Sequence, residues 1–148
     1  MVSSIRSLFV IALAGLALAV PTPLKTSLIE KRTISGLTAA TCSKISFTPD
    51  QIDAAASEAE KHIAARTDVG NNNYPHVFNN RERFTFNEGC NKPFFEFPIF
   101  QDKVYTGGPP GADRVIVGSV DGGDAAFCGV ITHTDAPTRN GFVQCDSA

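Results

Sequence analysis

The 148-residue chain has no excess of basic residues: 13 Lys and Arg stand against 15 Asp and Glu, a formal net charge of −2. That balance excludes a protein that holds nucleic acid chiefly through a positive surface. The chain also lacks C-x-x-C and H-x-x-x-H spacings, and its three histidines, His62, His76 and His133, are far apart. Metal binding is therefore the weaker reading of its Cys and His content, and no metal or cofactor is expected. It has no internal repeat, and strand and helix patterns do not alternate as a parallel sheet would need. The apolar run at residues 8–20 is thirteen residues long. As a helix it reaches ~20 Å, short of the ~30 Å of a bilayer core, so a membrane anchor is not expected.

That run follows Arg6 and ends in Ala17-Leu18-Ala19, a small-x-small cleavage pattern, and reads as a secretory signal peptide over residues 1–19. Lys31-Arg32 is a dibasic pair of the kind cut during secretion, which makes residues 20–32 a propeptide and residues 33–148 the mature domain. Losing residues 1–32 removes Arg6, Lys25, Lys31 and Arg32 against Glu30 and leaves 9 basic and 14 acidic residues, a charge of −5. Four cysteines remain in an oxidising compartment: Cys42, Cys90, Cys128 and Cys145. They imply two disulfides, with three connectivities open. The composition, 43% hydrophobic with 11 Phe, can supply a core, while 12 Gly and 9 Pro point to many turns.

Thr48-Pro49-Asp50-Gln51 is a helix start, with Thr48 as N-cap and Pro49 at the first helical position. Ile52, Ala55, Ala56, Ala59 and Ile63 then recur at three- and four-residue spacing, predicting a helix of about sixteen residues that ends near Arg66. His62 lies beside this stripe as a helix-surface residue. After the turn cluster 69–73, residues 74–80, 83–87, 94–100, 112–118, 126–134 and 141–145 read as strands. A helix followed by consecutive strands predicts an α+β fold, with one long helix packed on a central antiparallel sheet.

Alternation along 94–99 sends Phe95, Phe97 and Ile99 to one face and Glu96 to the other, with Phe94 and Pro98. Along 112–117 it sends Arg114 with Ile116 to one face and Val115 with Val117 to the other, and Val130-Ile131-Thr132 leads into His133. Each of Glu96, Arg114 and His133 alone is more often structural. On one sheet they supply a base, an electrophile and an acid, the set that phosphodiester displacement needs.

Six blocks then carry a resemblance: Tyr74-Pro75-His76, Phe78-Asn79-Asn80-Arg81-Glu82, residues 94–99, residues 107–115, residues 129–134 and residues 140–145. Together they resemble the secreted fungal guanyl-specific ribonucleases, the ribonuclease T-one family, over about residues 42–145. The resemblance implies an extracellular, monomeric endonuclease acting on single-stranded RNA, with no action on DNA, which lacks the 2′-hydroxyl nucleophile. It implies Glu96 as general base, His76 as its partner on the 2′-hydroxyl, and His133 as general acid on the 5′-oxygen. Arg114 would stabilise the phosphoryl charge, Tyr74 would hydrogen-bond the phosphate and Phe142 would wall the site. Products would be a 2′,3′-cyclic phosphate and then a 3′-phosphate. For the guanine base the resemblance implies backbone groups of Asn79, Asn80 and Arg81, the Glu82 carboxylate, and the Asn140 carbonyl. The disulfides expected are Cys42–Cys145 and Cys90–Cys128, and Tyr74-Pro75 is expected to be cis.

The chain departs from the family at the two aromatic positions that sandwich the base, which here are Phe78 and Arg81. Phe78 keeps a π-face and Arg81 offers a planar guanidinium instead. Residues 90–93, 96–100 and 126–130 also resemble the sarcin-type ribotoxins. Those carry long lysine-rich loops, whereas Glu82 and Glu96 here are separated by thirteen residues. A ribotoxin, or a secreted ribonuclease-like effector that binds host RNA or protein without cleaving, is the alternative reading.

Overall fold

A computed structural model describes residues 34–122 and 124–147. The leader and propeptide expected at residues 1–32 lie outside the described residues. The chain order is β1 (Ile34–Ser35), β2 (Ala40–Cys42), β3 (Ile45–Phe47), α1 (Pro49–Ala65), β4 (His76–Phe78), β5 (Phe94–Pro98), β6 (Asp113–Asp121), β7 (Asp124–Thr132), β8 (Val143–Gln144) and β9 (Asp146–Ser147). The α+β fold read from the sequence is present.

The start of α1 forms as its residues dictate. Thr48 Oγ1 accepts from Gln51 N at 3.3 Å while Gln51 Oε1 accepts from Thr48 N at 2.8 Å, a reciprocal capping box. The helix ends at Arg66, which takes a left-handed conformation. Its buried stripe of Ile52, Ala55, Ala56 and Ala59 packs on Phe97, Val115, Val117, Phe127 and Val130 of the sheet. Small alanine side chains let the helix sit close to that face.

The larger sheet runs β1-β7-β6-β5-β4, with β8 beside β7, and the small one β3-β2-β9. Every pair in both is antiparallel except β1 with β7, which is parallel. The central sheet is antiparallel as expected, and only the two-residue strand β1 runs parallel to its neighbour: the arm entering from residue 34 is not joined to β7 by a hairpin, so nothing forces it to run the other way. Residues 83–87, expected as a strand, form a loop instead. Asn80 and Arg83 both have left-handed φ, of 50° and 63°, and the Asn80 amide clasps Phe84 by accepting from its N–H at 2.7 Å and donating to its C=O at 2.9 Å. Gln144 Nε2 to Thr85 O at 2.8 Å then ties the loop to the end of the sheet.

Cys42–Cys145 joins the β2 hairpin to the last strands, and Cys90–Cys128 joins the loop before β5 to β7, the pairing expected. Tyr74-Pro75 is cis, and so is Lys92-Pro93.

One irregularity decides which way His133 faces. Along β6 and β7, Ile116 pairs with Gly129 but Val117 pairs with Phe127, so Cys128 is an extra residue in β7. Phe127 and Val130, three apart, therefore both enter the helix-side core, while Cys128 and Ile131 both enter a second cluster with Phe78, Phe94 and Ile116. Without that bulge, strict alternation would put residue 133 on the helix face with Phe127. With it, residue 133 follows Ile131 to the opposite face.

Candidate active site

Three adjacent strands bring the charged groups to the face away from α1. His76 on β4 is directly opposite Glu96 on β5, and Glu96 is opposite Ile116 on β6; Arg114, two residues from Ile116, is the diagonal neighbour. His76 Nδ1 lies 3.2 Å from Glu96 Oε1, and Arg114 Nε lies 3.9 Å from Glu96 Oε2. Glu96 is only 7% exposed, and its Oε2 is buried with no hydrogen-bond partner.

Burial pushes the Glu96 carboxyl up to about 7; Arg114 pulls it down and the negative charge of Glu82 adds to the rise. The His76 imidazole is lowered, first by burial and then by Arg114, against a backbone hydrogen bond at Val77. Both groups are thus driven toward their uncharged forms at neutral pH. That poises Glu96 as a carboxyl that gains and loses a proton near pH 7, the range suited to general base work.

Arg114 is buried, and carbonyls hold it in place. Its Nη1 donates to Pro110 O at 3.1 Å, Gly111 O at 3.0 Å and Asp113 O at 2.8 Å, and its Nε donates to Tyr74 Oη at 3.1 Å. Its guanidinium lies over the Tyr74 ring at 5.1 Å, and that ring stacks on His76 at 4.7 Å. The Gly108-Pro109-Pro110-Gly111 loop, part of one of the blocks that carry the family resemblance, is thus the seat of the arginine. Residue types alone give no sign of such carbonyl work.

His133 follows β7, and its backbone N–H donates to Ala112 O at 3.0 Å. Its Nδ1 lies 2.7 Å from Gly141 O. A carbonyl only accepts, so Nδ1 carries a proton there and Nε2 is the nitrogen left to exchange one. The ring stacks on Phe142 at 3.9 Å. Gly141 is the orienting residue that the sequence reading missed.

Of the residues expected at the base, Asn79 to Glu82 are on the loop after β4, Phe78 ends β4 and Asn140 is on the loop before β8. Asn79, Arg81, Glu82 and Asn140 are exposed, and Asn80 is half-buried with its side chain committed to shaping the loop. Phe78 is placed differently from the rest, 6% exposed in the second apolar cluster, parallel to Phe84 at 6.4 Å and edge-on to Phe142 at 5.8 Å. Phe84 and Phe86 complete that cluster.

Residues 35–146 match the family model described as ribonuclease, and the chain belongs to that family. Within it, the chain is similar to guanyl-specific ribonucleases. It is 45% identical over 107 residues to guanyl-specific ribonuclease Th1 of Trichoderma harzianum, covering 72% of this chain and 95% of that one. It is 40% identical over 110 residues to extracellular guanyl-specific ribonuclease Fl1 of Gibberella baccata, covering 74% and 98%. Guanyl-specific ribonuclease F1 of Fusarium fujikuroi is 38% identical over 134 residues, covering 90% and 88%.

Proposed function

We propose that the protein is a secreted endoribonuclease that cleaves single-stranded RNA on the 3′ side of guanosine. Its carrying observation is Glu96, buried between His76 and Arg114 and titrating near neutrality. The Glu96 carboxylate takes the proton from the ribose 2′-hydroxyl, with His76 on the same hydroxyl, and that oxygen attacks phosphorus. The His133 imidazolium gives its Nε2 proton to the departing 5′-oxygen. Arg114 and Tyr74 meet the charge that grows on the phosphoryl oxygens, and Phe142 holds the imidazole in place. The 2′,3′-cyclic phosphate so formed is hydrolysed by the reverse roles of the two groups to a 3′-phosphate.

For the base, the Glu82 carboxylate accepts from guanine N1–H and its amine. Adenine has no donor at N1, so it would leave that carboxylate unpaired, the kind of loss that gives strong discrimination. The backbone of Asn79 to Arg81 and the carbonyl of Asn140 complete the edge. Because Phe78 is buried under Phe84, the exposed Arg81 guanidinium is the group that covers the purine.

Residues 1–19 are removed as a signal peptide and 20–32 as a propeptide, a reading supported by the sequence pattern and by an extracellular relative. The purified protein, acting as a monomer without cofactor, should release a guanosine 2′,3′-cyclic phosphate from a guanosine-containing dinucleotide, visible by phosphorus NMR. Equal cleavage after adenosine, or no cyclic product, would overturn the proposal.

A further inference from the structure

The loop before β8 holds the only Asn-Gly step in the chain, Asn140-Gly141. Asn140 is exposed and is the third residue of a β-turn in which Gly141 N–H donates to Thr138 O at 3.0 Å. A Cβ at residue 141 would stand 2.5 Å from Thr138 Oγ1, so the turn as built takes glycine after the asparagine. Glycine also leaves its own backbone nitrogen unshielded, and closure of that nitrogen onto Asn140 Cγ makes a five-membered ring. The same short segment aims the imidazole: Gly141 O accepts from His133 Nδ1 at 2.7 Å, and Phe142 stacks on the ring at 3.9 Å. Just beyond, the chain is pinned, because Val143 and Gln144 pair with Thr132 and Ile131 and Cys145 is bonded to Cys42. A backbone lengthened at residue 140 must therefore be absorbed next to the Gly141 carbonyl.

We propose that Asn140-Gly141 is a site of spontaneous deamidation that detaches His133 from its backbone anchor, so that the protein carries a chemical limit on its own working life. When the turn opens, the Gly141 nitrogen gives its proton to hydroxide and attacks Asn140 Cγ. The bond from Cγ to the amide nitrogen breaks, and that nitrogen takes a proton from water and leaves as ammonia, giving a succinimide. Water then opens the ring. Attack at Cγ yields aspartate on an unchanged backbone. Attack at the main-chain carbonyl carbon yields isoaspartate, in which the backbone runs through Cβ and Cγ and is one carbon longer. Both products add a negative charge, but only isoaspartate displaces Gly141 O and turns the Asn140 carbonyl into a carboxylate. The consequence for catalysis rests on the proposed role of His133; the modification itself does not.

The test is prolonged incubation of the mature protein at neutral pH and physiological temperature. Peptide mass spectrometry should find amide-to-acid conversion at residue 140, and an isoaspartyl methyltransferase should methylate that same peptide. In the isoaspartyl form, resolved chromatographically from the aspartyl form, the His133 Nδ1–H resonance should move. It should stay in place in Asn140→Asp, which has the added charge without the added carbon. Asp121-Gly122 is the internal control, since it lies at the opposite end of the β6–β7 ladder from Thr132: isoaspartate there should leave the His133 resonance unmoved. Turnover of a guanylyl dinucleotide by the form modified at 140 should fall about tenfold or more. An amide at 140 that persists under conditions that convert a synthetic peptide of residues 136–145 overturns the proposal. So does an isoaspartyl form whose His133 resonance matches that of the unmodified protein. Conversion and the ring resonance are read without substrate, so failure of the ribonuclease reading would leave both tests standing.

Discussion

Glu96 faces His76 across the β4–β5 ladder with Oε1 3.2 Å from Nδ1, and the burial that raises the carboxyl also lowers the imidazole. The pair is thereby disposed to be uncharged in the resting protein, and substrate meets a base whose proton is easily moved. The arrangement costs stability, and the cost has a defined sign.

Because the folded Glu96 titrates at about 7 against an ordinary value of 4.5, the folded state binds more protons than the unfolded one between those pH values. Stability therefore falls as pH rises through that window, and the penalty is complete above about pH 7. Glu96→Gln, which cannot ionise, should be more stable than the wild type at pH ~8 by up to ~3 kcal/mol, with the gap closing near pH ~4. Urea denaturation at both pH values measures it, and a gap that does not depend on pH would refute the buried-carboxyl account.

Glu82 contributes a negative charge that raises Glu96 while serving, in the proposed function, as the guanine acceptor. Glu82→Ala should lower the preference for guanosine over adenosine by ~10²-fold or more, judged by kcat/KM on matched dinucleotides. It should also move the acid limb of the pH–rate profile to lower pH, because a raising charge is gone. An unchanged base preference would remove Glu82 from the base site.

His133 is aimed by Gly141 O and stacked on Phe142, so its loss should affect the leaving group alone. His133→Ala should reduce cleavage of a dinucleotide ~10²–10⁴-fold while guanosine monophosphate still binds. A substrate with a p-nitrophenoxide leaving group, which needs no protonation, should recover most of that loss. Equal defects on both substrates would contradict the general-acid role.

Gly129 sits in the bulge with φ of 153°, where a side chain is disfavoured, although a Cβ there would meet Phe86 only at an ordinary 3.6 Å. Gly129→Val should therefore lose ~1–3 kcal/mol through backbone strain rather than collision. Since the bulge sets the facing of His133, activity at a temperature where the variant is folded should fall too. Thermal unfolding and dinucleotide turnover, measured together, test both parts.

The helix was legible in the sequence down to its cap because Thr48, Pro49 and Gln51 act on their immediate neighbours. The two faces of β5 and β6 were legible because alternation is local as well, and with the family resemblance the side chains gathered at the site were readable in advance. The bulge at Cys128 was not, since an extra residue shows only against the partner strand. Strands of two or three residues, such as β1, β8 and β9, are too short to show a period. The loop at 83–87 has alternating Phe84 and Phe86 and looks like a strand, but the Asn80 side chain bonds capture its backbone first. Carbonyls have no residue signature, so the seating of Arg114 and His133 by Pro110, Gly111 and Gly141 became visible only in three dimensions.

The most direct test of the central claim is the pH dependence of kcat/KM on a guanylyl dinucleotide for the wild type and for Glu96→Gln. The account predicts a bell-shaped wild-type profile whose acid limb has an apparent pKa near 7, set by the buried carboxyl, and a variant in which that limb is gone along with ~10²-fold or more of the activity. A wild-type acid limb near the ordinary carboxylate value, or the same limb surviving in Glu96→Gln, would contradict it.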